Sequence, residues 1–190
     1  MHLGSGGSVV VTVIAAAPKP AYALVVSTDG KVSRLSQNGT LVLIGQPVTS
    51  PLRSVAWKPD GSYALLGGSA GTLFKYDGVK VTTIPTVAAI NTSIVPSSNA
   101  IRAIAFNAAG TLALLAGDNG MVLAYNGSTL TMLATVTSSW LYAIGWSPSG
   151  TAYIVGGAGT VLTCTNGTVV KLVTSPVTTT QYRGIAWKPQ

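Results

Sequence analysis

The sequence predicts an all-β fold, built from about four copies of a four-stranded antiparallel sheet arranged around a common axis. Three observations lead there: a segment of about forty residues that recurs, short apolar stretches rich in branched residues, and Asn-Gly or Asp-Gly pairs between them. No stretch of ten residues carries helical periodicity. With 190 residues the chain suits one domain or a compact repeat array.

The recurring unit is clearest at its start. Val55-Ala56-Trp57-Lys58-Pro59-Asp60-Gly61, Ile104-Ala105-Phe106-Asn107-Ala108-Ala109-Gly110, Ile144-Gly145-Trp146-Ser147-Pro148-Ser149-Gly150 and Ile185-Ala186-Trp187-Lys188-Pro189 align, their aromatic residues 49, 40 and 41 positions apart. The longer first interval reflects an insertion, Thr86 to Ala100. Each complete unit continues with a second strand (Tyr63 to Leu66, Leu112 to Ala116, Ala152 to Val155), a glycine-rich turn and a third strand. An Asp-Gly or Asn-Gly pair (Asp77-Gly78, Asn126-Gly127, Asn166-Gly167) then leads into a fourth. Such pairs favour type I′ hairpins, which require positive φ at both central residues. Residues 21 to 45 fit the template from the second strand onward. A single meander of this kind cannot bury both faces, so each sheet must pack on its neighbours as a propeller blade.

The pattern resembles a WD-repeat-type β-propeller over about residues 8 to 190. The aromatic-x-Pro-x-Gly segment is similar to the turn between the first two strands in prokaryotic propeller repeats, and the Gly-x-x-Gly turns resemble those of photosystem assembly-factor propellers. The Trp-Asp and Gly-His pairs of the eukaryotic form are absent. The resemblance implies an all-β propeller of about four blades and is compatible with many functions. The expected organisation is a Gly/Ser-rich leader over residues 1–7, then repeats over 8–51, 52–100, 101–140 and 141–181, with a lone strand over 182–190. Either the last strand completes the first blade, or Val9 to Ile14 fills that place. In the second case the C-terminal strand is free to complete a blade of another copy or of a longer assembly.

Composition restricts the chemistry. Charged residues make up only 8% of the chain; Lys and Arg exceed Asp and Glu by 11 to 4, a net charge of +7. The basic residues are scattered, so nucleic acid ranks below protein or glycan as a partner. There is no Glu, one His (His2) and one Cys (Cys164), which disfavours a Ser-His-Asp triad, a zinc cluster or a disulfide framework. Ser27-Thr28-Asp29-Gly30 looks like part of an Asp-box turn, but a sialidase-type hydrolase also needs a Glu beside its tyrosine nucleophile. No catalytic residue, metal site or cofactor is therefore assigned. Val9 to Ala17 is too short to span a bilayer and reads better as a strand than as a signal segment. The low charge, abundant Ser and Thr, and Asn-x-Ser/Thr sequences at Asn38, Asn91, Asn126 and Asn166 favour an extracellular or cell-surface location over the cytoplasm.

The expected function is that of a non-catalytic binding or assembly scaffold whose partner is a protein or another copy of the chain. Arg53, Arg102 and Arg183 each precede an aromatic by four positions, with Tyr142 at the matching place before Trp146. Even spacing predicts that arginine and aromatic share a strand face. Since the first strand of a propeller blade is innermost, the arginines are expected near the mouth of the central channel. There they either hold an anionic glycan, a small anion or an acidic loop, or serve only to pack the blades. Trp57, Phe106, Trp146 and Trp187 are expected between blades. Trp140, together with Ile90 and Ile94 of the insertion, is the candidate for partner contact, since binding residues collect on loops held by rigid scaffolds.

Overall fold

A computed structural model describes residues 11–18, 22–84, 98–133, 135–172 and 179–188. Ile90 and Ile94 lie outside the described residues. Among the described residues, sixteen strands form four separate four-stranded sheets, each a simple meander. Blade 1 contains β1 (Val11–Ala16), β2 (Tyr22–Ser27), β3 (Val32–Ser36) and β4 (Leu41–Gly45). Blade 2 contains β5 (Leu52–Trp57), β6 (Ala64–Gly68), β7 (Leu73–Tyr76) and β8 (Val81–Thr83). Blade 3 contains β9 (Ile101–Phe106), β10 (Ala113–Gly117), β11 (Val122–Tyr125) and β12 (Leu130–Met132). Blade 4 contains β13 (Leu141–Trp146), β14 (Ala152–Gly156), β15 (Val161–Thr165) and β16 (Thr168–Leu172).

The first strands of successive blades lie side by side, β1 against β5, β5 against β9 and β9 against β13, which sets the sheets radially with these strands innermost. The first blade uses Val11–Ala16 as its innermost strand, paired with β2 from Val11↔Ser27 to Ala16↔Ala23.

Each apolar cluster straddles two blades. Leu24 and Val26 of blade 1 meet Val55, Leu66 and Phe74 of blade 2; Leu65 and Leu73 of blade 2 meet Ile101, Leu115 and Leu123 of blade 3; Leu114 and Val122 of blade 3 meet Leu141, Ile154 and Leu162 of blade 4. The middle strands β6 and β10 are buried along their whole length because both faces are covered. The aromatics bind the seams together. Trp57 packs edge-on against Tyr22 of blade 1 at 5.6 Å and against Tyr76 of its own blade at 6.0 Å, and Phe106 meets Tyr63 at 5.8 Å. The indole N–H groups of Trp57 and Trp146 each donate across a seam, to the carbonyls of Ala15 and Ala105, both at 3.2 Å.

The hairpin pairs differ from the type I′ expectation. Only Asn166-Gly167 has positive φ at both residues (50° and 79°); at Asp77-Gly78 and Asn126-Gly127 the glycine alone is positive. There the preceding side chain closes the turn: Asp77 Oδ1 accepts the N–H groups of Val79 and Lys80, and Asn126 Oδ1 accepts those of Ser128 and Thr129. An Asx turn holds the chain without forcing a second left-handed residue.

Cys164 on β15 is almost fully buried, and that burial pushes its thiol pKa up. Native protein at pH 8 is therefore expected to react with a thiol-specific disulfide reagent more slowly than urea-unfolded protein, by roughly two orders of magnitude. Absorbance stopped-flow measures the ratio, and equal rates would place the thiol at the surface. At neutral pH both the folded and the unfolded state carry the neutral thiol, so the shift leaves stability unchanged there. Stability falls as pH rises past the unfolded thiol's value, about 8.5, toward that of the folded one, because only the unfolded state then gains by ionising.

Candidate functional site

In every blade the innermost strand carries a β-bulge at one position, between Val11 and Val13, Leu52 and Ser54, Ile101 and Ala103, and Leu141 and Ala143. The bulged residues are Thr12, Arg53, Arg102 and Tyr142, three of them in the row singled out from the sequence. A bulge interrupts strand alternation and re-aims its side chain. The expectation that arginine and aromatic share a face is corrected accordingly: Arg53 reaches the tight turn after β6, whereas Trp57 sits in the seam with Tyr22.

That turn is a single 3-10 turn at Ser69–Gly71 in blade 2 and at Asp118–Gly120 in blade 3, with the central residue left-handed (Ala70, φ 56°; Asn119, φ 54°). Arg53 Nε donates to Ser69 Oγ at 3.1 Å, and Arg102 Nε donates to the carboxylate of Asp118, with both members of that ion pair largely buried. Both bonds join residues 16 positions apart. Asp118 also accepts the backbone N–H of Ala100 through Oδ2 at 3.0 Å, and Asn99 Nδ2 donates to its carbonyl at 3.3 Å. Asp118, which lies in one of the glycine-rich turns of the sequence, is thus the anchor of an arginine. The common interval of sixteen residues was the signal available for it.

The guanidinium of Arg102 lies 4.3 Å from the Trp140 ring and 5.7 Å from the Tyr142 ring, and that of Arg183 lies 4.7 Å from Tyr142. Four candidates from the sequence therefore form one ladder, Trp140, Arg102, Tyr142 and Arg183, running from blade 3 across blade 4 to the C-terminal segment. Arg53 stands on the adjoining blade. Cation–π stacking and the Asp118 bond hold Arg102 in a fixed orientation. Arg183 is exposed and donates to Gln181 Oε1 at 2.6 Å. Among the described residues the ion pairs are Lys31–Asp29, Lys58–Asp60 and Arg102–Asp118, so neither Arg53 nor Arg183 is matched by a carboxylate. Beside the ladder, an axial groove of about 230 Å³ is lined by residues of all four innermost strands, including Val13, Ser54, Arg102 and Tyr142.

The remaining acidic side chains serve local turns. The bond from Lys31, followed by that from Ser27, holds Asp29 at a pKa of about 2. Bonds from Lys58 and Ser62 hold Asp60 well below the usual carboxylate range, and backbone N–H groups of Lys80 and Val79 lower Asp77.

Four radial meanders with contiguous innermost strands define a WD-repeat-type β-propeller fold. Two solved structures show the same arrangement. The chain is similar to the WD40 repeats of RRP9 (TM-score 0.66, 14% identity) and to U3-55K (TM-score 0.67, 15% identity). Each match covers 87% of this chain and 52% of the other, so the chain spans about half the length of these propeller proteins. At that identity the likeness concerns the fold. No protein-family model and no curated protein matches the sequence.

Proposed function

We propose that this chain is a non-catalytic scaffold whose blades hold an acidic segment of a protein partner at the rim formed by Arg53, Arg102, Arg183 and Trp140. The observation that carries this reading is the ladder itself. Arg102 is fixed by Asp118 and two aromatic rings, Trp140 remains 48% exposed, and the arginines on either side have no carboxylate partner among the described residues. Ordered guanidinium groups beside an exposed indole suit carboxylates flanked by apolar side chains, and such sites lose little freedom on binding. The WD40-type fold adds general support for an interaction role. Catalysis is not proposed: three of the four aspartates are held ionised in turns and the fourth is bonded to Arg102, so none is placed as a general acid.

Fluorescence anisotropy with a labelled ten-residue peptide rich in Asp and Trp tests the reading, with a Lys-rich peptide as control. The acidic peptide is expected to bind in preference. Arg53→Ala/Arg183→Ala is expected to weaken it roughly tenfold, or about 1.4 kcal/mol, while lowering native stability by no more than the roughly 1 kcal/mol that loss of the Arg53–Ser69 bond costs. Equal binding of both peptides would remove the proposal. An anionic glycan engages the same guanidinium groups, and a sialylated oligosaccharide that binds where the peptide does not would replace the protein partner with a sugar.

A further inference from the structure

The four innermost strands are not equivalent. Where β5, β9 and β13 carry Arg53, Arg102 and Tyr142 at the bulge, β1 carries Thr12; where they end in Trp57, Phe106 and Trp146, β1 ends in Ala16. Both substitutions leave a mark on blade 1. The Thr12 hydroxyl is buried with no hydrogen-bond partner among the described residues, a costly arrangement for a polar group. Ala16 borders an open, largely apolar depression of about 500 Å³, together with Ala17, Tyr22, Ala23 and Leu35. Leu35 pairs with Ala23 as Tyr76 pairs with Ala64, and Tyr76 is the residue against which Trp57 packs in blade 2. The depression is therefore the site that an aromatic from an innermost strand fills in the other blades.

The two side chains that β1 lacks stand together elsewhere in the chain. Tyr182-Arg183-Gly184-Ile185-Ala186-Trp187 carries the arginine and the tryptophan at the right spacing. It lies on blade 4 as the next innermost strand would. Thr180 O accepts the N–H of Gly159 at 2.7 Å, as Asn99 O accepts that of Gly71 at 2.6 Å and Ser139 O that of Gly120 at 2.8 Å. Trp187 packs on Tyr153 with ring centroids 5.0 Å apart, and Ile185 closes on Gly145. Yet no sheet includes this segment. The outward side of blade 1 is open as well, with Val11 and Ile14 more than half exposed.

We propose that Tyr182–Trp187 of one copy serves as the innermost strand for Tyr22–Gly45 of a second copy, displacing Val11–Ala16 there, and that the reciprocal exchange closes an eight-bladed ring of two chains. The fit is chemical as well as topological. In the exchanged blade Trp187 enters the depression beside Leu35. Arg183 faces Thr28 of the second copy, which holds the position of its arginine-bonded counterparts Ser69 and Asp118, with Asp29 adjacent. A symmetric pair makes this junction twice, and each continues the seams already present between blades. The proposal does not depend on the acidic-peptide reading.

Sedimentation velocity of the full chain from roughly 1 to 100 μM is the first test, with a particle of twice the 19.2 kDa chain mass expected. Removing residues 1–17 is expected to tighten the pair, since β1 competes with the incoming strand, and removing residues 179–190 to abolish it. A second measurement stands if a truncation fails to fold. In a Cys164→Ser background, Gly184→Cys chains mixed with Val26→Cys chains are expected to form a disulfide-linked dimer, because Gly184 takes the place of Val13, which pairs with Val26. A Cβ at Gly184 meets nothing within 4 Å. A full chain that stays monomeric, a dimer that survives loss of residues 179–190, or a dimer without this cross-link would overturn the proposal.

Discussion

Gly120→Ala is expected to destabilise the native state by about 3–4 kcal/mol, against about 1 kcal/mol for Gly39→Ala. Both glycines have left-handed backbones, with φ of +68° and +81°, so both substitutions incur the steric cost of a side chain there. They differ in surroundings. A Cβ on Gly39 meets nothing within 4 Å, whereas one on Gly120 would stand 1.8 Å from the carbonyl oxygen of Thr137 and 2.8 Å from its carbon. Those atoms are backbone of the connection into blade 4, and the Gly120 N–H is bonded to Ser139 O in the same connection. Relief of the overlap requires blade 4 to move away from blade 3, opening the apolar seam between Leu114 and Ile154. Urea unfolding of the two variants separates the effects: equal midpoints would mean that backbone conformation alone accounts for Gly120, and that the turn does not brace the next blade.

Asp118→Ala is expected to lower stability by about 2–4 kcal/mol, more than the roughly 1 kcal/mol for Ser69→Ala at the equivalent place in blade 2. Ser69 accepts one bond from Arg53. Asp118 accepts from both Arg102 and the Ala100 N–H, and its side chain is only 12% exposed beside an Arg102 side chain that is 16% exposed. Its removal leaves a largely buried guanidinium and a backbone donor without an acceptor, so most of the loss comes from charge that can no longer be solvated. Asp118→Leu combined with Arg102→Met should recover part of the loss, since no charge is then left unpaired. Thermal and urea unfolding give the comparison. If the double substitution proved worse than Asp118→Ala, the pair would be contributing through its attraction rather than by mutual neutralisation.

The architecture was legible because its signals repeat. Aromatic-turn segments, glycine-rich turns and Asn/Asp-Gly pairs recur at matched intervals, and a sheet that cannot bury both faces alone leaves radial stacking as the solution. The site was legible in its residues but not in its geometry. Arg53, Arg102, Arg183, Tyr142 and Trp140 could be named from position, yet strand alternation gave a wrong orientation for Arg53 and Arg102, because a bulge leaves no local mark in composition. The stacking of Arg102 between Trp140 and Tyr142 joins residues about forty positions apart, a relation that appears only once two blades are side by side. Asp118 was hidden for a different reason: Asp in a tight turn already has a sufficient backbone explanation.

Trp57 of the second repeat rests on Tyr22 of the first, and Phe106 of the third on Tyr63 of the second. What must stay compatible as such a chain diverges is therefore half of one repeat with half of the next. Duplicating a whole unit preserves both halves and creates a workable joint at once, while a single substitution is felt by the adjoining copy. Growth by copying is thus easier for this molecule than drift within any one copy.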